Sequence, residues 1–220
     1  MNALVVLPVA LPLGAAGLSY ALNRYPRLQR VLGVATLTTV LGLAIALLVN
    51  VQANGVLVKA IGNWTGPIGI TLAADLFSVI ILVVSMVVLL AVLVYAIGSP
   101  RTSSEARFFY PTYLILTAGI ALSLLTADLF NLFVAFEIML SASYVLITLG
   151  GSRDQIRHGT TYVIINLLAS MLFITAIGIT YAAAGTVNMA DLAVKLGDIS
   201  PVIRDALGAL FLLVFGIKAA

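Results

Sequence analysis

Leu76-Phe-Ser-Val-Ile-Ile-Leu-Val-Val-Ser-Met-Val-Val-Leu-Leu-Ala-Val-Leu-Val-Tyr-Ala-Ile97 runs for 22 residues without a formal charge, a glycine or a proline. At about 1.5 Å per residue a helix of this length rises about 33 Å, enough to cross a hydrocarbon core of about 30 Å. Six further apolar runs flank it, at 3–22, 31–49, 108–126, 129–149, 162–184 and 206–220. Together the seven hold nearly two thirds of the 220 residues, and the formal charges inside them are Glu137 and Lys218. The chain is 62% hydrophobic and 9% charged. A soluble domain carries roughly 25% charged residues, too many for this chain to supply, so the fold class is all-α: a polytopic helical membrane protein. A transmembrane barrel needs segments of about ten residues with alternating polarity, and these runs are longer and apolar on every side.

Cations order the topology. No Lys or Arg precedes the first run, which argues against a cleaved signal peptide; Arg24, Arg27 and Arg30 follow it. Connections after the first, third and fifth runs hold Arg24, Arg27, Arg30, Arg101, Arg107, Arg153 and Arg157, whereas those after the second, fourth and sixth hold Lys59, Lys195 and Arg204. Since cytoplasmic loops accumulate Lys and Arg, the N-terminus is expected outside. The net charge of +3 is then a matter of topology and calls for no nucleic acid. With no cysteine and one histidine, the chain offers no disulfide, thiolate metal site or cluster, and neither a metal nor a cofactor is expected. The G-x-x-x-x-G-K-S/T pattern of nucleotide hydrolysis is absent, and Gly150-Gly151 reads only as a turn.

The external connections carry local signals. Within 51–75, Asn54-Gly55 and Gly62-Asn-Trp-Thr-Gly-Pro67 mark turns between short apolar stretches, predicting a small hairpin with Trp64 at the membrane interface. Asn188 reads as the N-cap of a short surface helix with Asp191 and Lys195 at i, i+4. Ser200-Pro201 reads as the opening of the last helix. Asp75 and Asp128 each precede an apolar run, where a carboxylate caps exposed N–H groups; they are secondary candidates for transport. His158, beside Arg153, Asp154 and Arg157, is predicted in a cytoplasmic loop, where a histidine suits proton entry, though a solvated loop residue is the plainer reading. Asn131 and Asn166 are expected to make interhelical hydrogen bonds, and Pro8 and Pro12 to kink the first helix.

Glu137 is the strongest functional signal. It stands eight residues into its run, about 12 Å below the external end, where an ionised group costs at least about 3 kcal/mol. Lys218, about 18 Å below the same side, matches that depth within about one turn. If the two spans touch, the charges attract by about 4 kcal/mol at about 4 Å and an effective dielectric of about 20. Burial and an opposite charge pull such groups in opposite senses, so small changes of separation decide which one holds the proton. Ser141, one turn away, with Ser143 and Tyr144, is placed to hold water beside the carboxyl. The plainer readings are a protonated Glu137 that only holds the bundle together and a Lys218 that reaches toward an interface.

Asp128-Leu-Phe-Asn-Leu-Phe-Val-Ala-Phe-Glu137-Ile-Met-Leu-Ser-Ala-Ser-Tyr-Val-Leu-Ile147 resembles the fifth helix of proton-translocating antiporter subunits. That family holds the large subunits of Mrp-type sodium/proton antiporters and the antiporter-like membrane subunits of respiratory complex I. Gly62-Asn-Trp-Thr-Gly-Pro-Ile-Gly-Ile70, Asn188-Met-Ala-Asp-Leu-Ala-Val194 and Phe215-Gly-Ile-Lys218-Ala-Ala220 are most similar to its D-type Mrp subunits, and the resemblance covers residues 1–220. It implies a fourteen-helix fold with two inverted five-helix repeats and broken helices. It also implies a buried proton-transfer pair matching Glu137 and Lys218, other subunits of a membrane complex as partners, and protons and sodium as cargo. On this reading 1–107 forms three leading helices and 108–220 begins the first repeat, with the last helix cut short at Ala220. A downstream lysine and glutamate of the family's relay then lie outside the chain, which is expected to be the N-terminal part of a longer protein. The competing implications are a proton-pumping arm of a redox complex and a helical scaffold without transport.

Overall fold

The computed structural model describes residues 2–64, 69–99 and 103–219. Thr65, Gly66 and Pro67 of the external turn, the loop cation Arg101 and the terminal Ala220 lie outside the described residues. After a 3-10 turn at Asn2–Val5, the elements are α1 (Leu7–Ala21), α2 (Pro26–Asn54), β1 (Leu57–Ala60), a second 3-10 turn (Ile61–Asn63), β2 (Thr71–Ala74), α3 (Leu76–Gly98), α4 (Ser103–Leu125), α5 (Leu129–Thr148), α6 (Arg153–Ala184), α7 (Met189–Lys195) and α8 (Pro201–Ala219).

The helices begin where local chemistry starts them. Pro26 opens α2, its missing N–H being one of the unpaired donors of a first turn in any case. Asp75 caps α3 by accepting from the Ser78 N–H at 2.6 Å, while Ser78 Oγ accepts from the Asp75 N–H at 3.1 Å. The same reciprocal arrangement, Ser152 with Gln155, starts α6 at Arg153. Asn188 Oδ1 accepts from the N–H groups of Ala190 and Asp191 and starts α7. Gly55 (φ 76°) and Gly185 (φ 71°) end α2 and α6 in a region that disfavours side chains.

Among the described residues five helices, α2, α3, residues 107–125 of α4, α5 and α6, are long and apolar enough to cross a membrane. This trims the expectation of seven membrane-length runs. α1 has only 15 residues, because its first turn is 3-10 and Pro8 sits at the helix start rather than at a kink; Pro12 alone is inside. α8 begins five residues ahead of its apolar run and so takes in Arg204 and Asp205 beside Lys218. On α3 the residues Phe77, Val84, Val87, Val88 and Tyr95 are exposed, an apolar surface suited to lipid and not to water.

The expected hairpin is present. β1 and β2 pair antiparallel with Leu57 opposite Ala74 and Ala60 opposite Thr71, and Trp64 is exposed beside the turn. The Thr71 carbonyl accepts from the Ala127 N–H at 2.9 Å, tying the hairpin to the corner between α4 and α5. Two cores follow. α1–α4 and the hairpin enclose an aliphatic core that includes Leu37, Val40, Leu47, Leu82, Met86 and Leu114. α5, α6 and α8 enclose a smaller, aromatic one centred on Phe173, which is fully buried.

Candidate functional site

α5, α6 and α8 bring the site together. Glu137 projects from the middle of α5 and Lys218 from the end of α8, and both are half-buried. They do not touch directly: no Glu137–Lys218 ion pair occurs among the described residues. Between them stands Ser170 of α6, 4% exposed. Its hydroxyl donates to Glu137 Oε1 and accepts from Lys218 Nζ at 3.1 Å. The ammonium also lies 5.2 Å from the centre of the Phe136 ring, where the electron-rich face attracts a cation. Acid, hydroxyl and amine thus form a line of two hydrogen bonds across three helices.

An aromatic cluster adjoins the line. Phe173, one turn from Ser170, meets Phe133 at 5.9 Å, Phe136 at 6.0 Å, Phe211 at 6.1 Å and Phe215 at 5.4 Å between ring centres, mostly edge to face. Two cavities with no lining residue in common border the ends of the line. One of about 210 Å³ is bordered by Lys218 with Ser143, Tyr162 and Asn166. The other, of about 360 Å³, is bordered by Glu137 with Ser141, Val134 and Ile138. Ser141 therefore keeps the expected company of Glu137, whereas Ser143 faces the cavity of the amine.

The remaining candidates sit elsewhere. Asp75 is the α3 cap described above. Asp128, 5% exposed, caps α5 by accepting from the Asn131 N–H at 2.8 Å. Both fulfil the capping reading and neither contacts the acid–hydroxyl–amine line. His158 is exposed on α6, not in a loop, because the Ser152–Gln155 cap carries the helix back to Arg153. Asn131 donates to Thr126 Oγ1 at 2.9 Å and Asn166 to the Tyr162 carbonyl at 3.0 Å. These bonds are local, so the interhelical role expected of the two asparagines is not met. Asp191 accepts from Lys195 Nζ at 2.9 Å, and that hydrogen bond holds its carboxyl below the usual carboxylate range, aided by Thr186 and opposed by desolvation. Ser170 went unread because one serine in an apolar run has no pattern around it, and its partners lie 33 and 48 residues away.

Residues 126–220 match the family model described as NADH:quinone oxidoreductase/Mrp antiporter, transmembrane. The D-type subunit of the Na(+)/H(+) antiporter of Alkalihalophilus pseudofirmus is 41% identical over 219 residues, 99% of this chain and 44% of that protein. The chain thus spans less than half the length of the curated relatives it matches. It superposes on a chain of the Mrp complex of a Dietzia species with a TM-score of 0.89 at 33% identity, covering 100% of this chain and 41% of that one. A chain of the membrane-bound sulfane sulfur reductase, an archaeal respiratory membrane complex, gives a TM-score of 0.90 at 26% identity, with 97% of this chain and 44% of that one covered.

Proposed function

The chain belongs to the NADH:quinone oxidoreductase/Mrp antiporter transmembrane family, and from this we propose that it is the proton-carrying membrane part of a multisubunit sodium/proton antiporter. It acts as a secondary transporter and not as an enzyme. Glu137 and Lys218 form the proton-transfer pair, and sodium moves elsewhere in the complex. The observation that carries this reading is the buried Ser170 hydroxyl shared by an acid and an amine inside an apolar bundle. Ionisable groups at such depth are costly, and they persist where a charge must move.

The surrounding assignments follow the same reading. The distribution of Lys and Arg supports an N-terminus outside the cytoplasmic membrane, with the basic connections inside. Residues 1–107 serve as three leading helices and 108–220 as the beginning of an inverted repeat, within a protein of about fourteen helices. Other subunits of the complex are its partners. In the assembled complex, Glu137→Gln abolishes sodium-dependent ΔpH in inverted vesicles while leaving the subunit in place. Wild-type exchange by that variant would reject the assignment.

A second reading is supported by the superposition on the sulfane sulfur reductase chain: a proton-pumping arm driven by electron transfer. It predicts that proton movement by the purified complex needs an electron donor. Sodium-driven exchange with no donor present decides for the antiporter.

A further inference from the structure

Ser170 touches both ionisable groups, and the direction of its bonds is informative. It receives a hydrogen bond from the amine and gives one to the acid, so the donors are aligned from Lys218 through Ser170 to Glu137. The cavity at Lys218 and the cavity at Glu137 share no lining residue, and Ser170 borders neither. With 4% of its surface exposed, it is buried away from both. The charged groups that face it are Glu137 from α5 and Lys218 from α8, and the Phe173 cluster packs one turn away.

We propose that the Ser170 hydroxyl is the proton bridge between the two cavities, so that the charge passes through this side chain and not by direct contact of acid and amine. The inference rests on the antiporter reading above and adds to it the route of the proton. In the transfer step an N–H bond of the Lys218 ammonium breaks as its proton bonds to Ser170 Oγ. The hydroxyl's own proton leaves that oxygen and bonds to the Glu137 carboxylate. The products are a neutral amine, an unchanged serine and a neutral carboxyl, and no atom or electron is gained or lost. The reverse step retraces this path with no rotation; a second transfer in the same direction needs the serine hydroxyl to turn back toward the acid, which costs little because a hydroxyl reorients about one bond. A hydroxyl that both donates and accepts suits this position; a side chain with no such group cannot pass the charge.

The test compares Ser170→Ala, Ser170→Thr and Glu137→Gln in the complete subunit within its assembled complex, reading sodium-driven ΔpH in inverted vesicles over a range of sodium concentrations. Ser170→Ala lowers the maximal exchange rate by about ten-fold or more, because positioned proton donors and acceptors typically contribute at least that factor. The sodium concentration for half-maximal rate stays unchanged, since sodium does not bind at this bridge. Ser170→Thr, which keeps the hydroxyl, restores most of the rate although it is bulkier. A fully active Ser170→Ala beside an inactive Glu137→Gln overturns the bridge and leaves the antiporter reading standing. An active Glu137→Gln overturns both. Should Ser170→Ala not assemble, Ser170→Val takes its place, because it has the shape of Ser170→Thr but no hydroxyl: a wild-type rate in that variant overturns the bridge, and a loss that Ser170→Thr does not show supports it.

Discussion

The two cores of this chain solve the same packing problem with different chemistry. Around α2, α3 and α4 the interior is mainly aliphatic, with Tyr110 and Tyr113 buried in it, and two of its polar side chains reach backbone partners: Tyr113 Oη donates to the Leu89 carbonyl at 2.8 Å and Gln29 Nε2 to the Ser19 carbonyl at 2.8 Å. Around α5, α6 and α8 the interior is aromatic, and its polar groups bind one another: acid to hydroxyl to amine. A bond from a side chain to a main-chain carbonyl fixes a helix end or a helix pair and has one protonation state. A line of three side chains that includes an acid and an amine has several. On the proposed function, the first region stays in place and the second is where charge moves.

Truncating one large side chain in each region separates these roles most strongly. Phe173→Ala and Leu82→Ala each remove a fully buried group, at a cost of about 3–5 and about 2–5 kcal/mol respectively. Both lower the thermal midpoint of the solubilised complex. Only Phe173→Ala lowers exchange per assembled complex, because its ring supports Phe136 and Phe215 next to Lys218. Equal exchange losses from both variants would erase the distinction between the regions.

A much smaller effect is expected at α7, outside both cores. The Asp191 carboxyl is held below its ordinary range by Lys195, so the folded state binds its proton more weakly than the unfolded chain does. Such a group contributes stability above the unfolded value, near pH 4, and loses it as pH falls through the lower folded value. Titration followed by the NMR shift of Asp191 should give a midpoint below the usual carboxylate value, with no change in α7 between pH 5 and 9. A midpoint at or above the ordinary value would contradict the pairing.

Much of the architecture is legible in the residues themselves. The apolar runs locate α2 to α6, since membrane-length hydrophobicity is a property of contiguous sequence, and Asp75, Asp128, Asn188 and Pro201 act at helix starts as capping chemistry predicts. Where the reading falls short, hydropathy outweighs a local signal. Ser152 with Gln155 is a capping pair, yet the polar residues from 153 to 161 read as loop, which misplaces His158. Glu137 and Lys218 stand out because charge in an apolar run is expensive wherever it points. Ser170 does not stand out, because a hydroxyl costs little there; only the crossing of α5, α6 and α8 gives it meaning, and that crossing has no counterpart in sequence spacing.

On the proposed function, an amine on α8 and an acid on α5 exchange a proton inside the bundle. Sodium-driven ΔpH in inverted vesicles carrying Lys218→Ala in the assembled complex tests it most directly. Exchange at the background level, with the subunit still incorporated, is the predicted result; exchange at the wild-type rate would contradict it.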